Sequence, residues 1–489
     1  PSPRRRAEGL AALERVAADA DIAAVFSTTE LARTLRPALR AAPTLLRRPW
    51  LFADEPHSGV PARQLPDPEP TDLAYLQYTS GSTSTPRGVM LSHAQVVANV
   101  VVQRDRWSMD ATTTMYSWLP PWHDMGLISG LFTGLQLGST THLAPPTAIA
   151  RRPYHWLRAV SDLGIRITGG PDFMYRMAAA RITDDELATL DLSRLEHAFC
   201  GAEPVRASTL EAFAERFAPA GLRLGALRPC YGLAEATLLV SAGPQGEEPV
   251  VRAFDRAALG RGKAVPAADG APMVGCGAAT HGQHVAIVDP DTHRRVPDGR
   301  VGELWTAGPS NGLGYWRRPA ATEQLFRATI EGEPGTPWLC TGDLAFVDDG
   351  VIFIAGRSKD VVIVNGVNLH APDIELVAQE SDPRLLTRAT AAFGIDDGGA
   401  ERIVVVIETP TDLAADADAD ADADAIIAAV RRAVGQAFDV MPHRIVLTES
   451  GGIPKTTSGK VQRSRTRALL AAGTLPVTRD WNATRASTA

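Results

Sequence analysis

The run Ile453-Pro-Lys-Thr-Thr-Ser-Gly-Lys460 ends in a lysine, and far upstream stands Tyr78-Thr-Ser-Gly-Ser-Thr-Ser-Thr-Pro-Arg-Gly88. The upstream run carries so little side-chain bulk that backbone N–H groups and hydroxyls can close around phosphate oxygens. The Gly-Ser turn beside Lys460 can carry an ammonium to the same phosphate. Together the two runs predict an ATP-using ligase. The Walker order Gly-x-x-x-x-Gly-Lys-Ser/Thr is absent from the upstream run, which weighs against a kinase or GTPase.

The rest of the composition narrows the class. With 489 residues, 45% of them apolar, the chain is long enough for two or three cores. A net charge of −7 without a long Lys/Arg block argues against nucleic-acid binding. No apolar run is long enough to span a bilayer, and no signal-peptide core opens the chain, so a cytoplasmic protein without a transmembrane segment is expected. Cys200, Cys230, Cys276 and Cys340 are too far apart for a Cys-x-x-Cys site, and the 11 histidines show no ligand spacing. A structural zinc is not expected.

The elements that must position these runs alternate in type. Ala7 to Leu39 has helical spacing around a short strand, Ile22 to Phe26. Residues 56 to 72 read as a surface connection before a strand, Leu73 to Tyr78. A second strand, Gly88 to Leu91, and a helix capped by Ser92 follow. To about residue 250, helices such as Ser208 to Phe217 alternate with short apolar strands such as Ile165 to Thr168 and Glu196 to Phe199. This pattern predicts a largely parallel sheet with helices on both faces. Between about 270 and 355, short strands separated by turn residues predict a β-rich subdomain. The expectation is thus an α/β protein: a large, multi-subdomain N-terminal domain over 1–356, a hinge at 357–360, and a small mobile α/β C-terminal domain over 361–489. The Ala-Asp alternation at 415 to 424 is read as a solvated loop leading into a helix from Ala425 to Ala437, because closely spaced carboxylates repel.

Seven segments occur in the order of a known family. They are Tyr78 to Gly88, Trp118-Leu-Pro-Pro-Trp-His-Asp-Met-Gly126, Cys200-Gly-Ala-Glu-Pro-Val205, Tyr231-Gly-Leu-Ala-Glu-Ala-Thr237, Thr341-Gly-Asp343, Gly356 to Asp360, and Pro454 to Lys460. On them the chain resembles the adenylate-forming superfamily and, within it, the fatty acyl-AMP ligases. The forms His123-Asp-Met-Gly and Gly232-Leu-Ala-Glu-Ala-Thr-Leu-Leu-Val240 point to that branch, as does the long stretch from Gly314-Tyr-Trp316 to Asp343, with Arg327 to Pro337 resembling the branch's insertion. The chain departs from the family at Ser84 and Arg87, where Gly and Lys are common, and at Cys200, where Asn is common. Residue 1 aligns well inside such a ligase, so the first part of the large domain is expected to be missing.

The resemblance implies ATP and Mg²⁺ as cofactors and a fatty acid as substrate, with oligomeric state left open. It assigns Lys460 to the carboxylate and α-phosphate oxygens, Glu235 to Mg²⁺ with Thr79, and His123 to the acyl side of the site. Thr79, Ser80, Gly81, Ser82 and Thr83 would wrap the pyrophosphate, with Gly88 closing the same nucleotide-binding loop. Gly201, Ala202, Glu203 and Tyr231 would hold adenine, Gly232, Leu233 and Ala234 would border the nucleotide, Asp343 would hold the ribose, and Arg357 would donate to the same sugar or to phosphate. Gly169-Gly-Pro171 would line the acyl pocket, and Lys455 is read as a surface residue. A rotation at Lys359 or Asp360 would open a channel for the phosphopantetheine thiol of an acyl carrier protein. Two rivals remain: an acyl-CoA synthetase, and a non-catalytic protein that binds an acyl nucleotide or a carrier.

Overall fold

The computed structural model describes residues 3–55, 67–79, 86–364, 367–397, 400–409, 419–456 and 459–483. Its centre is a seven-stranded sheet in the order 278–279, 239–242, 227–232, 197–200, 167–170, 114–117, 140–143. The five strands from 227–232 to 140–143 run parallel, and on the other side 239–242 and then 278–279 are added by antiparallel pairings. Strands Ile167–Gly170 and His197–Cys200 are buried at every position, as strands covered on both faces must be. Both start one or two residues later than their apolar runs suggested, which carries them up to the glycines at the sheet edge.

The helix His93–Arg106 packs against this sheet. Ser92 caps it in a reciprocal capping box with Gln95. Before it, strand Leu73–Thr79 pairs antiparallel with Arg87–Ser92, and Gly314–Tyr315 extends that small sheet. At the N-terminus, helix Pro3–Ala20 precedes strand Val25–Ser27, which runs parallel to Trp50–Phe52. A β-rich unit follows the central sheet, with strands 284–288, 302–307, 333–348 and 328–330, and 351–357 paired to 333–348. Residues Arg327 to Pro337 are folded into it: Ala328–Ile330 turns back onto Glu333–Asp348, and Ala328, Ile330 and Trp338 pack on Trp305.

One 3-10 turn, Ser358–Asp360, leads from strand Val351–Arg357 to the hairpin 361–364/367–370. Beyond it a four-stranded sheet, 390–397, 400–408, 444–448 and 477–482, carries helices on both faces. Helices Ala371–Glu380 and Ala419–Phe438 cover one face, and Arg463–Ala471 covers the other.

The Ala-Asp repeat departs from its expectation. The helix starts at Ala419, inside the repeat, rather than at Ala425; the repeat's earlier residues lie outside those described. Helical geometry separates the carboxylates that a strand-like period of two would align. Asp420 and Asp424 fall four apart on one face and both meet Arg479, while Asp422 turns to Arg384. Acidic residues in a first helical turn are also favoured by the helix dipole.

Candidate active site

The strands 167–170, 197–200 and 227–232 end at one cleft of about 1260 Å³, roofed by the C-terminal domain. Loops that leave the carboxyl ends of parallel strands diverge there and open a crevice. After Cys200 the chain makes a sharp turn. A Cβ on Gly201 would lie 2.9 Å from the Cys230 carbonyl oxygen, and Ala202 takes a left-handed φ of 68°. That turn puts Glu203 over helix Asp172–Arg181, where its Oε1 accepts from the Phe173 N–H at 2.8 Å. Burial, with Asp172 nearby, raises the pKa of the Glu203 carboxyl.

The loop after Gly232 is tighter. A Cβ on Gly232 would fall 1.9 Å from the Leu238 carbonyl oxygen, and the Leu233 N–H donates to that oxygen at 2.9 Å. Thr237, at φ 66°, is held by its hydroxyl donating to the Ser310 carbonyl at 2.6 Å. The turn Ala234–Ala236 therefore presents Glu235 in a fixed direction. The Tyr315 hydroxyl donates to Glu235 Oε1 at 2.7 Å, and the Arg87 guanidinium lies 5.5 Å from the centre of the Tyr315 ring.

Across the cleft, Asp343 and Arg357 face each other in the register of their strands. Asp343 Oδ1 accepts from Arg357 Nε at 2.8 Å, and Oδ2 accepts from the Tyr231 hydroxyl at 2.7 Å. The carboxylate is 7% exposed and the guanidinium 50%, so the aspartate anchors an arginine that reaches into the cleft. Burial and then Asp343 push the Tyr231 phenol well up, and Asp343 raises the Arg357 pKa. Each carboxylate oxygen already holds one protein donor; ribose hydroxyls would use the remaining lone pairs.

Lys460 enters from the C-terminal domain on a compact turn. Thr456 N–H donates to the Lys460 carbonyl at 2.7 Å, and Lys460 N–H donates to the Thr456 hydroxyl at 3.1 Å. Gly459, at φ 91°, leaves only 3.3 Å between an added Cβ and the Phe173 ring, so the turn sits directly on the large domain. Burial, joined by Arg357, lowers the Lys460 pKa against the opposing pull of Asp124, Glu203 and Asp343. Asp124 in turn lies 2.6 Å from His123 Nδ1 and accepts from the Met125 N–H at 2.7 Å. Burial pushes the Asp124 carboxyl up, but His123 and Lys460 outweigh it and hold the pKa below the ordinary value.

Thr79, His123, Ala202, Glu203, Tyr231, Gly232, Leu233, Ala234, Glu235, Asp343, Arg357, Lys359, Asp360 and Lys460 thus line one cleft. Two expected residues stand behind it: Gly88, where a Cβ would strike the Tyr78 ring at 2.9 Å, and Gly201. Ser80, Gly81, Ser82 and Thr83 lie outside the described residues. Gly169 and Gly170 do not line the cleft as expected. They lie beneath the Phe199 and Trp118 rings, where a side chain would collide at 2.4 and 2.5 Å. Lys455 is exposed, as expected, though 3.6 Å from the buried Glu408 carboxylate. The sequence reading did not single out Tyr315, Asp124, Phe173 or Arg463. Only Asp124 carried a local signal, as a carboxylate next to a histidine.

Among the described residues no three His, Cys, Asp or Glu side chains gather to hold a metal. The donors fit Mg²⁺ all the same: one oriented carboxylate, Glu235, and one hydroxyl residue, Thr79, facing a cleft suit a cation that keeps waters and phosphate oxygens as its other ligands.

Comparison with known proteins agrees with this geometry. The model of the AMP-binding enzyme family matches residues 3–316. The medium-chain-fatty-acid–[acyl-carrier-protein] ligase JamA of Moorena producens is 36% identical over 483 residues, 97% of this chain and 81% of that protein. The long-chain-fatty-acid–AMP ligase FadD26 of Mycobacterium marinum is 38% identical over 437 residues, 86% of this chain and 73% of that protein. A solved structure from a study of fatty acyl-adenylate ligases of E. coli and L. pneumophila superposes with a TM-score of 0.83 at 31% identity, covering 95% of this chain and 82% of its own. With its sheet edge, its nucleotide-sized cleft and these relatives, the chain belongs to the AMP-binding enzymes, in the branch of the fatty acyl-AMP ligases.

Proposed function

We propose that the protein activates a fatty acid with ATP and passes the acyl group to the phosphopantetheine thiol of an acyl carrier protein. The observation that carries this reading is the docked turn of Gly459 and Lys460, which aims an ammonium into a cleft walled by Asp124, Glu203, Asp343 and Arg357. In the first step a carboxylate oxygen attacks the α-phosphorus, and the bond to pyrophosphate breaks. Both reactants are anionic, so the protein's task is to offset charge and hold the attack in line. Lys460 meets the charge on the carboxylate and α-phosphate oxygens. Tyr231 and the backbone of Gly201 to Glu203 hold adenine, and Asp343 with Arg357 holds the ribose. Glu235, oriented by Tyr315, and Thr79 would hold Mg²⁺, which when bound supplies positive charge to the phosphates.

In the second step a thiolate attacks the acyl carbonyl and the bond to AMP breaks, with no covalent enzyme intermediate. Lys460 has no part in it, so the C-terminal domain turns about Lys359 and Asp360 to admit the thiol. The name of JamA as an acyl-carrier-protein ligase supports the carrier as acceptor. Among the described residues no helix is long and apolar enough to cross a membrane; we place the enzyme in the cytoplasm, where ATP and carrier proteins are at hand. The test is pyrophosphate release with ATP, Mg²⁺ and a fatty acid, followed by acyl transfer to holo carrier protein or to CoA. Release with transfer to the carrier alone is expected. Transfer to CoA would make it a synthetase, and nucleotide binding without release would make it a binding protein.

A further inference from the structure

Asp19 stands in the last turn of helix Pro3–Ala20, where a carboxylate faces the negative end of the helix dipole. The helix itself gains nothing from a charge of that sign there. Both oxygens are instead engaged far along the chain. Oδ2 accepts from the Tyr78 hydroxyl, 59 positions away, at 2.7 Å, and Oδ1 pairs with the Arg318 guanidinium. The carboxylate is only 11% exposed, so both bonds are charge-assisted and largely shielded from bulk water. Burial, and then the facing Asp19, push the Tyr78 phenol well up and keep it an O–H donor.

Each partner belongs to a segment that serves a proposed Mg²⁺ ligand. Tyr78 immediately precedes Thr79 and lies opposite Gly88 in the strand pair Leu73–Thr79/Arg87–Ser92. Its ring covers Gly88 so closely that a Cβ there would fall 2.9 Å away, so the tyrosine cannot turn without moving the strand end that presents Thr79. Arg318 closes the turn after Tyr315, its N–H donating to the Tyr315 carbonyl at 3.1 Å, and the Tyr315 hydroxyl holds Glu235. Between them the Trp316 N–H donates to the Gly88 carbonyl at 2.8 Å. We infer that Asp19 is a positioning residue for the metal and phosphates of ATP: through Tyr78 and Arg318 it fixes the Thr79 and Glu235 segments relative to each other. The inference rests on the ATP-using reading and adds to it a residue outside every motif of the cleft. Mg²⁺ demands near-ideal octahedral geometry, so ligands from two separate segments serve it only where a third group sets their spacing beforehand. A site spaced in advance keeps the binding energy that reorganisation would otherwise consume.

The test is calorimetric binding of α,β-methylene-ATP, with and without Mg²⁺, to the wild type, Asp19→Asn and Tyr78→Phe. Dodecanoyl sulfamoyl adenosine, which lacks the β- and γ-phosphates, is titrated beside it. Mg²⁺ should tighten α,β-methylene-ATP in the wild type, and in both variants that gain should shrink by roughly tenfold, the lower end for a hydrogen bond to a charged group. The sulfamoyl adenosine should bind all three proteins alike. The doubly substituted protein should lose little more than Asp19→Asn, since the two residues act in one chain of contacts. A gain that neither substitution moves overturns the inference. So does an equal loss of both ligands, which would make Asp19 and Tyr78 supports of the fold alone, and so does a wild type in which Mg²⁺ adds no affinity. Pyrophosphate release by the wild type, measured alongside, separates the two readings. A Mg²⁺ gain that Asp19 governs without release keeps the inference and removes the catalytic reading, and release with a gain that neither substitution moves does the reverse.

Discussion

In the proposed first step Lys460 offsets the charge on the reacting oxygens while Tyr315 orients Glu235, and each makes a distinct prediction. Replacing Lys460 by Ala should lower the rate of pyrophosphate release by about 10²–10³-fold, the loss typical of one preorganised electrostatic contact. Transfer from synthetic acyl-AMP to holo carrier should survive; equal loss in both would remove Lys460 from the first step. The lysine must be charged to work, and burial lowers its pKa from 10.5. kcat/KM for adenylation should therefore fall as pH rises through a value below 10.5, and the residual activity of Lys460→Arg should lack that limb. Tyr315→Phe leaves Glu235 in place without its donor, a bond to a charged group worth about 1.5–3 kcal/mol, or roughly 10–100-fold in ATP turnover. An unchanged dependence on Mg²⁺ and ATP in that variant would show that Tyr315 does not orient Glu235. Lys460, Glu235, Asp343 and Arg357 were legible because their neighbours form recognisable runs. Tyr315 was not, because its meaning lies in a contact with a residue 80 positions away.

Elements decide whether those side chains arrive together, and a single arginine joins three of them. Arg463 opens helix Arg463–Ala471 and donates to Asp360 of the turn Ser358–Asp360 at 2.8 Å and to Glu375 of helix Ala371–Glu380 at 2.7 and 2.8 Å. Glu375 also accepts from the Ala392 N–H at 2.9 Å. With Glu375 7% and Asp360 12% exposed, Arg463→Ala leaves two nearly buried carboxylates without their cation, at a cost of about 3 kcal/mol. Calorimetry should show a lower transition temperature, with a smaller drop for Arg463→Lys, which keeps charge but loses the fork. No change in Arg463→Ala would mean that the network contributes nothing to folding. Alternating apolar runs made the parallel strands readable to within two residues. The Ala-Asp repeat misled because period-two spacing was read as repulsion in an extended chain, whereas a helix turns the same aspartates toward Arg479 and Arg384.

At the scale of the whole molecule, the C-terminal part docks on the large one in the arrangement that the proposed first step needs. Besides Gly459 on Phe173, Arg176 of the large domain donates to Gln379 at 3.0 Å, Arg206 to the Pro372 carbonyl at 3.3 Å, and Ser208 to Glu380 at 3.3 Å. Arg256 also lies over the Phe438 ring, 5.8 Å from its centre, and Gly260 packs against Val367; contacts of this mixed kind are ones that a domain can leave and regain. None could be read from sequence, since the partners in the three hydrogen bonds stand 203, 166 and 172 positions apart. Arg176 tests whether they select one arrangement. Its pKa is lowered by burial, so it loses solvation to make this bond, and Arg176→Met keeps most of the apolar stem while removing the donor. Losing one such bond, about 1 kcal/mol, shifts the population of the docked state by roughly fivefold. Pyrophosphate release should slow by up to that factor, while acyl transfer from supplied acyl-AMP, which needs the domain turned away, should hold or quicken. The two half-reactions moving apart is the expected signature; a parallel decline would mean that Arg176 supports the fold of the cleft rather than the choice between its two states.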